Sequence, residues 1–148
     1  MIEISIAHQT LKHQDKIYSI SSATKGVGEK SGSFCTPLGR FKIAEKIGDN
    51  LELGAVLIAR APTGEVVSKA LLDQNPDRDW ILTRILWLEG LETHNSNTKQ
   101  RYIYIHGSPD ETPMGVPGSK GCIRMHNQDV IELFNRVQTG EDVVIMNP

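Results

Sequence analysis

The sequence predicts a mainly β domain with at least one short helix. Three observations carry this. Apolar residues alternate with polar ones in most of the apolar segments, Gly and Pro punctuate the chain at short intervals, and a single stretch has clear helical periodicity. Ile2 to Ile6 (IEISI) alternates, and Lys16 to Ile20 (KIYSI) repeats the pattern after a polar turn region, which predicts an opening hairpin. Gly39 to Asn50 contains a further alternating run. Gly54 to Ala59 is short, apolar and bounded by Gly and Pro. Trp80 to Gly90 is long enough for a helix, but its apolar residues do not share one face, so a strand is preferred. Arg101 to Gly107 (RYIYIHG) is rich in β-formers and delivers His106 to a strand end. In the helical stretch Asn127 is the expected cap, Asp129 lies in the first turn, and Val130, Ile131, Leu133, Phe134 and Val137 make an apolar face that Gly140 ends. Glu141 to Met146 (EDVVIM) closes the chain as a strand.

The 148 residues read as one domain, 1–148, without repeats or linkers. A chain of this length buries roughly 70% of its unfolded surface and needs no metal or disulfide to fold. With 16 Lys+Arg against 18 Asp+Glu and a sequence pI near 6.2, it lacks the basic excess of a nucleic-acid binder. Two cysteines exclude a disulfide-dense scaffold. No apolar run is long enough to span a membrane. The opening MIEISIAHQTLKHQDK lacks the charged and apolar regions of a secretory signal.

Chemistry concentrates between His106 and Arg124. A histidine at a strand end precedes a Pro/Gly-rich loop, and the loop ends in Ser119-Lys120-Gly121-Cys122-Ile123-Arg124. A thiolate is the reactive form of cysteine, and a nearby imidazole can take its proton. Gly121 lets backbone approach a substrate, and the N–H groups of Lys120, Gly121 and Cys122 are candidate oxyanion donors. Taken alone, a cysteine is more often a small buried hydrophobe and a histidine more often structural. Cys35, in a turn before Thr36-Pro37, is read as a packing residue. His8, His13, His94 and His126 lack zinc-ligand spacing, so no metal is expected. Asp110-Glu111 reads as a solvated loop, and Trp80 and Trp87 as core or sheet-surface residues.

HGSPDETPMGVPGSKGCIRM resembles the signature of the L,D-transpeptidase catalytic domain, or YkuD-type domain, in which His-Gly at a strand end is followed by Ser-x-Gly-Cys-x-Arg. His106 precedes Cys122 by 16 positions, a spacing that fits that family. Cys35 to Ile43 (CTPLGRFKI) resembles the family's Thr-Pro-x-Gly-x-Phe segment. The resemblance implies a sandwich-like β catalytic domain with a helix packed on it, without cofactor. It implies Cys122 as nucleophile and His106 as base, with a backbone carbonyl at Gly107 or Ser108 orienting the imidazole and Gly121 and its neighbours stabilising the oxyanion. Ser119 and Arg124 would shape or bind substrate, Arg124 either holding a carboxylate or anchoring the loop. Many relatives carry histidine where this chain has Lys120, whose charge is expected to favour the thiolate. The implied substrates are peptidoglycan stem peptides, a tetrapeptide donor and an amine acceptor, at the cell envelope, and the implied inhibitors are carbapenems that acylate the cysteine. Two other readings stay open: an L,D-carboxypeptidase or amidase on the same scaffold, and a non-catalytic wall-binding module.

Overall fold

The computed structural model describes Met1 to Pro148. Strands β1 (Ile2–Ser5), β2 (Thr10–His13) and β3 (Lys16–Ser19) form an antiparallel meander. The expected opening hairpin is therefore three-stranded. Its supposed polar turn holds β2, in which only Leu11 and His13 face inward, a pattern too sparse to stand out in the sequence. β4 (Gly39–Ile47) and the last strand, β10 (Asp142–Met146), extend the sheet: β10 lies parallel to β1 and antiparallel to β4. β5 (Ala55–Ile58) and β6 (Ala61–Val66) make a hairpin, and a short helix α1 (Lys69–Gln74) follows.

β7 (Leu82–Gly90) is the central strand, as its nearly continuous apolar run implies. It pairs with β4 along its second half, with β8 (Tyr104–Ser108) along its first, and touches β5 at Leu82. β9 (Ile123–His126) runs parallel to β8. Beyond β3, Ser21 bridges to Arg124 of β9, so the ten-stranded sheet nearly closes on itself. Inside lies one core of 19 buried residues, including Ile4, Phe41, Leu88, Ile105, Ile123 and Val143. The mainly β architecture with a packed helix is the one the sequence predicts.

The helix α2 (Asn127–Arg136) buries Val130, Leu133 and Phe134 against this core. Its cap is His126, not Asn127, and no side chain caps it. Asn127 instead turns inward and accepts a 2.7 Å hydrogen bond from the Thr83 hydroxyl. Thr83 sits where the β7–β8 pairing slips between Leu82 and Ile85, with φ at +74°, a rare conformation for a β-branched residue. No helix is long and apolar enough to cross a membrane.

Candidate active site

Two parallel strands set the site. In β8–β9, Ile105 opposes Ile123 and His106 opposes Arg124. Side chains alternate, so Ile103, Ile105, Ile123 and Met125 enter the core, and Tyr104, His106, Cys122 and Arg124 share the opposite face. Strand spacing separates the Cα atoms of His106 and Cys122 by about 8 Å.

His106 is fully buried. Its Nδ1 lies 2.6 Å from the carbonyl oxygen of Gly107, so Nδ1–H donates there, and Nε2 has no hydrogen-bond partner. Gly107 is fixed from outside: a Cβ on it would lie 2.6 Å from the Leu82 carbonyl oxygen and would also collide with Asn127 Oδ1. The bulge in β7 and the first turn of α2 thus jointly set the peptide that orients the imidazole. Burial pushes the His106 pKa below its ordinary value, against the opposing pull of the Gly107 carbonyl and Asp79. The resting ring is neutral, with a bare lone pair on Nε2.

Cys122 Sγ accepts from the Tyr104 N–H and donates to the Tyr102 carbonyl, both at 3.4 Å. Sγ and His106 Nε2 are not hydrogen-bonded to each other. Desolvation pushes the thiol up to about 12, and the cations that offset it are Arg124 and Arg101. Lys120, whose charge was expected to favour the thiolate, is not among the cations that lower this thiol. Lys120 is exposed, and the neutral thiol is the resting form.

The loop before Cys122 is tightly organised. Ser119 is buried; its hydroxyl donates to the Cys122 carbonyl at 2.6 Å and accepts the Gly121 N–H at 3.1 Å. Ser119 therefore shapes the loop and has no free hydroxyl for substrate, and the Gly121 N–H is unavailable to an oxyanion. The N–H groups of Lys120 and Cys122 make no hydrogen bond within the chain. Gly121 has φ +128°, which suits glycine, and a Cβ there would press on the Cys35 carbonyl at 3.2 Å. Arg124 forms a 2.7 Å ion pair with Asp79 and donates to the Gly118 carbonyl at 2.9 Å, the anchoring alternative of its two expected roles.

Thr36, which residue-level reasoning passed over, belongs to this assembly. Its hydroxyl donates to the Gly121 carbonyl at 2.9 Å and accepts the Ala23 N–H at 3.0 Å. The Thr-Pro-x-Gly resemblance was the available signal for it. Cys35 is partly exposed, and its thiol lies within hydrogen-bonding reach of the Lys25 and Ser33 carbonyls. Asp110 and Glu111 lie exposed on the long loop. His13 is buried against Glu141, His94 meets the Leu38 carbonyl, and no group of three or more His, Cys, Asp or Glu is placed to hold a metal ion.

Cys122 opens onto a cavity of about 720 Å³ whose walls include Arg60, Tyr102, Tyr104, Arg101 and Lys120. Trp87 stands behind Tyr102 and Tyr104, edge-on to the Tyr104 ring with centroids 5.8 Å apart. Trp80 is buried beneath α1 in a separate small cluster.

Comparison with known proteins identifies the architecture. The family model of the YkuD L,D-transpeptidase catalytic domain matches residues 1–145. The chain is 52% identical over 50 residues to the YkuD protein of Bacillus subtilis, an alignment covering 34% of this chain and 30% of that protein. It is 44% identical over 48 residues to YqjB of the same organism, covering 32% and 27%. The matched stretch thus spans less than a third of these relatives. Among solved structures, the L,D-transpeptidase of Xylanimonas cellulosilytica superposes with a TM-score of 0.60 at 18% identity, covering 98% of this chain and 59% of that one. L,D-transpeptidase 3 of Mycobacterium tuberculosis, solved with a faropenem-derived adduct, gives 0.58 at 18%, covering 99% and 59%. At these identities the structural likeness concerns the fold.

Proposed function

The chain belongs to the YkuD family of L,D-transpeptidase catalytic domains, and from that premise we propose that it is a cysteine-dependent acyltransferase acting on peptidoglycan stem peptides. One observation carries the reading: a buried, neutral imidazole has Nδ1–H fixed on the Gly107 carbonyl and Nε2 unpartnered, on the same face as Cys122.

Because thiol and imidazole are both neutral at rest, the proton moves as the sulfur attacks. Cys122 turns from the Tyr102 carbonyl, and Sγ bonds to the donor carbonyl carbon while its proton passes to His106 Nε2. The carbonyl becomes an oxyanion facing the N–H groups of Lys120 and Cys122. The C–N bond then breaks. The leaving amine takes the proton from His106, and a thioester remains on Cys122. An acceptor amine attacks the thioester, gives up a proton through His106, and the thiol is restored. Ser119, Thr36 and Gly121 hold the loop in which this occurs, and no metal or organic cofactor is invoked.

The test is to incubate the protein with a disaccharide-tetrapeptide, with and without an added amine acceptor, and to read the products by mass spectrometry. A transfer product that depends on the acceptor is expected. Hydrolysis alone would move the assignment to an L,D-carboxypeptidase, and no product at all would favour the wall-binding reading. A carbapenem should add one covalent mass to the protein, on the peptide holding Cys122; the M. tuberculosis neighbour was solved with a faropenem-derived adduct. With such substrates the proposed working site is the cell envelope, which fractionation of cells expressing the native gene would check.

A further inference from the structure

The cavity in front of Cys122 is unevenly charged. Arg60, Arg101 and Lys120 line it, and none of the three has a carboxylate within ion-pairing distance. Its one acidic wall residue, Asp79, is already paired with Arg124. Arg101 has its guanidinium turned to the Cys35 and Gly28 carbonyls, and Lys120 is a flexible exposed chain.

Arg60 is held differently. It occupies the second position of the two-residue turn joining β5 to β6, with Ile58 paired to Ala61 on either side. Ala59 and Arg60 have φ of +49° and +67°, the conformation of a type I′ hairpin, which Asn-Gly adopts at little cost and which a longer side chain adopts under strain. From that turn the guanidinium reaches over two aromatic faces, 4.8 Å from the Trp87 centroid and 4.9 Å from that of Tyr102. Its Nη1 donates to the Tyr104 hydroxyl at 3.1 Å. Tyr104 is also the residue whose N–H holds Cys122 Sγ. A cation fixed in this way, stacked and without an anion, presents its remaining N–H groups as a preorganised fork.

We propose that Arg60 is a specificity-determining residue that receives a carboxylate of the acyl donor, orienting the donor carbonyl toward Cys122. This rests on the transpeptidase reading above. A peptide donor offers two such groups, the C-terminal carboxylate of the departing residue and a carboxylate on the side chain of the residue that is acylated. Both present the same chemistry to Arg60.

The experiment compares three tetrapeptide donors: unmodified, amidated at the C-terminus, and amidated on the side-chain carboxylate. Turnover is measured for the wild-type chain, Arg60→Gln and Arg60→Lys. Binding is measured separately in Cys122→Ser versions of each, through tryptophan fluorescence, since Trp87 underlies Arg60. Losing a charge-assisted hydrogen bond should lower kcat/KM and affinity for the unmodified donor roughly 10- to 100-fold in Arg60→Gln. Amidating the recognised carboxylate should cost the wild type a similar factor. Arg60→Gln should then lose most of its discrimination between that amide and the unmodified donor, and the arm that shows this identifies the carboxylate. Arg60→Lys should recover part of the preference. A purely structural Arg60 would instead lower all three donors equally, and that result overturns the proposal, as does a wild type that binds all three alike. Carboxylate-dependent binding without turnover would leave Arg60 in this role and count against the transpeptidase reading.

Discussion

The Thr36 hydroxyl donates to the Gly121 carbonyl across 85 positions of sequence, at 2.9 Å. This bond explains why a Thr-Pro turn and a Gly-Cys loop occur in one chain. Thr36 is fully buried and also receives the Ala23 N–H, so it fastens the cysteine loop to the segment that leaves β3. Thr36→Val keeps the shape and removes the hydroxyl, leaving a buried carbonyl and N–H unpaired. Thermal unfolding should show a loss of about 1–3 kcal/mol. Turnover should fall at temperatures where the variant is still folded, because Gly121 is no longer fixed. A folded variant with unchanged turnover would remove Thr36 from the site's support.

Cys122→Ala should reduce turnover by roughly 10³-fold or more, since no other group can carry the acyl chain. Cys35→Ala should stay within a few-fold. A folded, inactive Cys35→Ala enzyme would mean that the nucleophile had been misassigned.

The pH behaviour follows from two opposite shifts. Burial lowers the His106 pKa, so between that lowered value and the ordinary 6.5 the unfolded chain binds the proton that the folded one refuses, and stability falls as pH drops through this window. Burial raises the Cys122 thiol from 9.0 to about 12, so stability also falls as pH rises through that range. Alkylation of Cys122 by iodoacetamide in the free protein should accordingly be slow at neutral pH and climb into the alkaline range. Fast labelling at mildly acidic pH would instead reveal a standing thiolate–imidazolium pair and overturn the concerted proton transfer.

Much of this was legible in the chain itself. Ile2–Ser5, Gly39–Ile47 and Asp142–Met146 are strands where the alternation or apolar run pointed to them, and Leu82–Gly90, long enough for a helix, is a strand because its apolar residues do not share one helical face. The elements that escaped notice have weak local signals. β6 is exposed along its whole length, and β9 is four residues directly abutting α2. Within the site, residue type alone left His106 and Cys122 open to structural readings, and it was the resemblance of their motif to the YkuD signature that singled them out. What stayed hidden were commitments made by tertiary contact: the Ser119 hydroxyl within its own loop, the Asn127 amide turned toward Thr83, and Arg60 swung over Trp87. Spacing along the sequence carries no information about which partner a polar group finds across the sheet.

Gly107→Ala tests whether the imidazole is set by packing behind it. The new methyl would meet the Leu82 carbonyl, Asn127 and Thr83, none of which is a flexible chain end. Overpacking of this kind costs about 1–3 kcal/mol. The displaced carbonyl would also release His106 Nδ1–H, so kcat should fall beyond what the lost stability explains, and the acidic limb of the rate profile should move. Unfolding curves and kcat measured across pH on the same preparation separate the two effects.

Arg124 poses a choice between anchoring the loop and binding substrate, and Asp79 decides it. Arg124 is mostly buried, and both of its terminal nitrogens are engaged, one by Asp79 and the other by the Gly118 carbonyl at the far end of the cysteine loop. As an anchor it acts through geometry. Asp79→Asn should then loosen the loop, lowering kcat with little change in KM and costing up to about 1 kcal/mol of stability, as a partly exposed ion pair does. Arg124→Ala should cost more, because the Gly118 carbonyl loses its donor as well. A substrate-binding Arg124 behaves in the opposite way. Removing the Asp79 charge would free the guanidinium for the donor, and Asp79→Asn would lower KM while Arg124→Ala raised it. Steady-state kinetics on the two variants distinguish these patterns by the direction in which KM moves, and the geometry predicts the first.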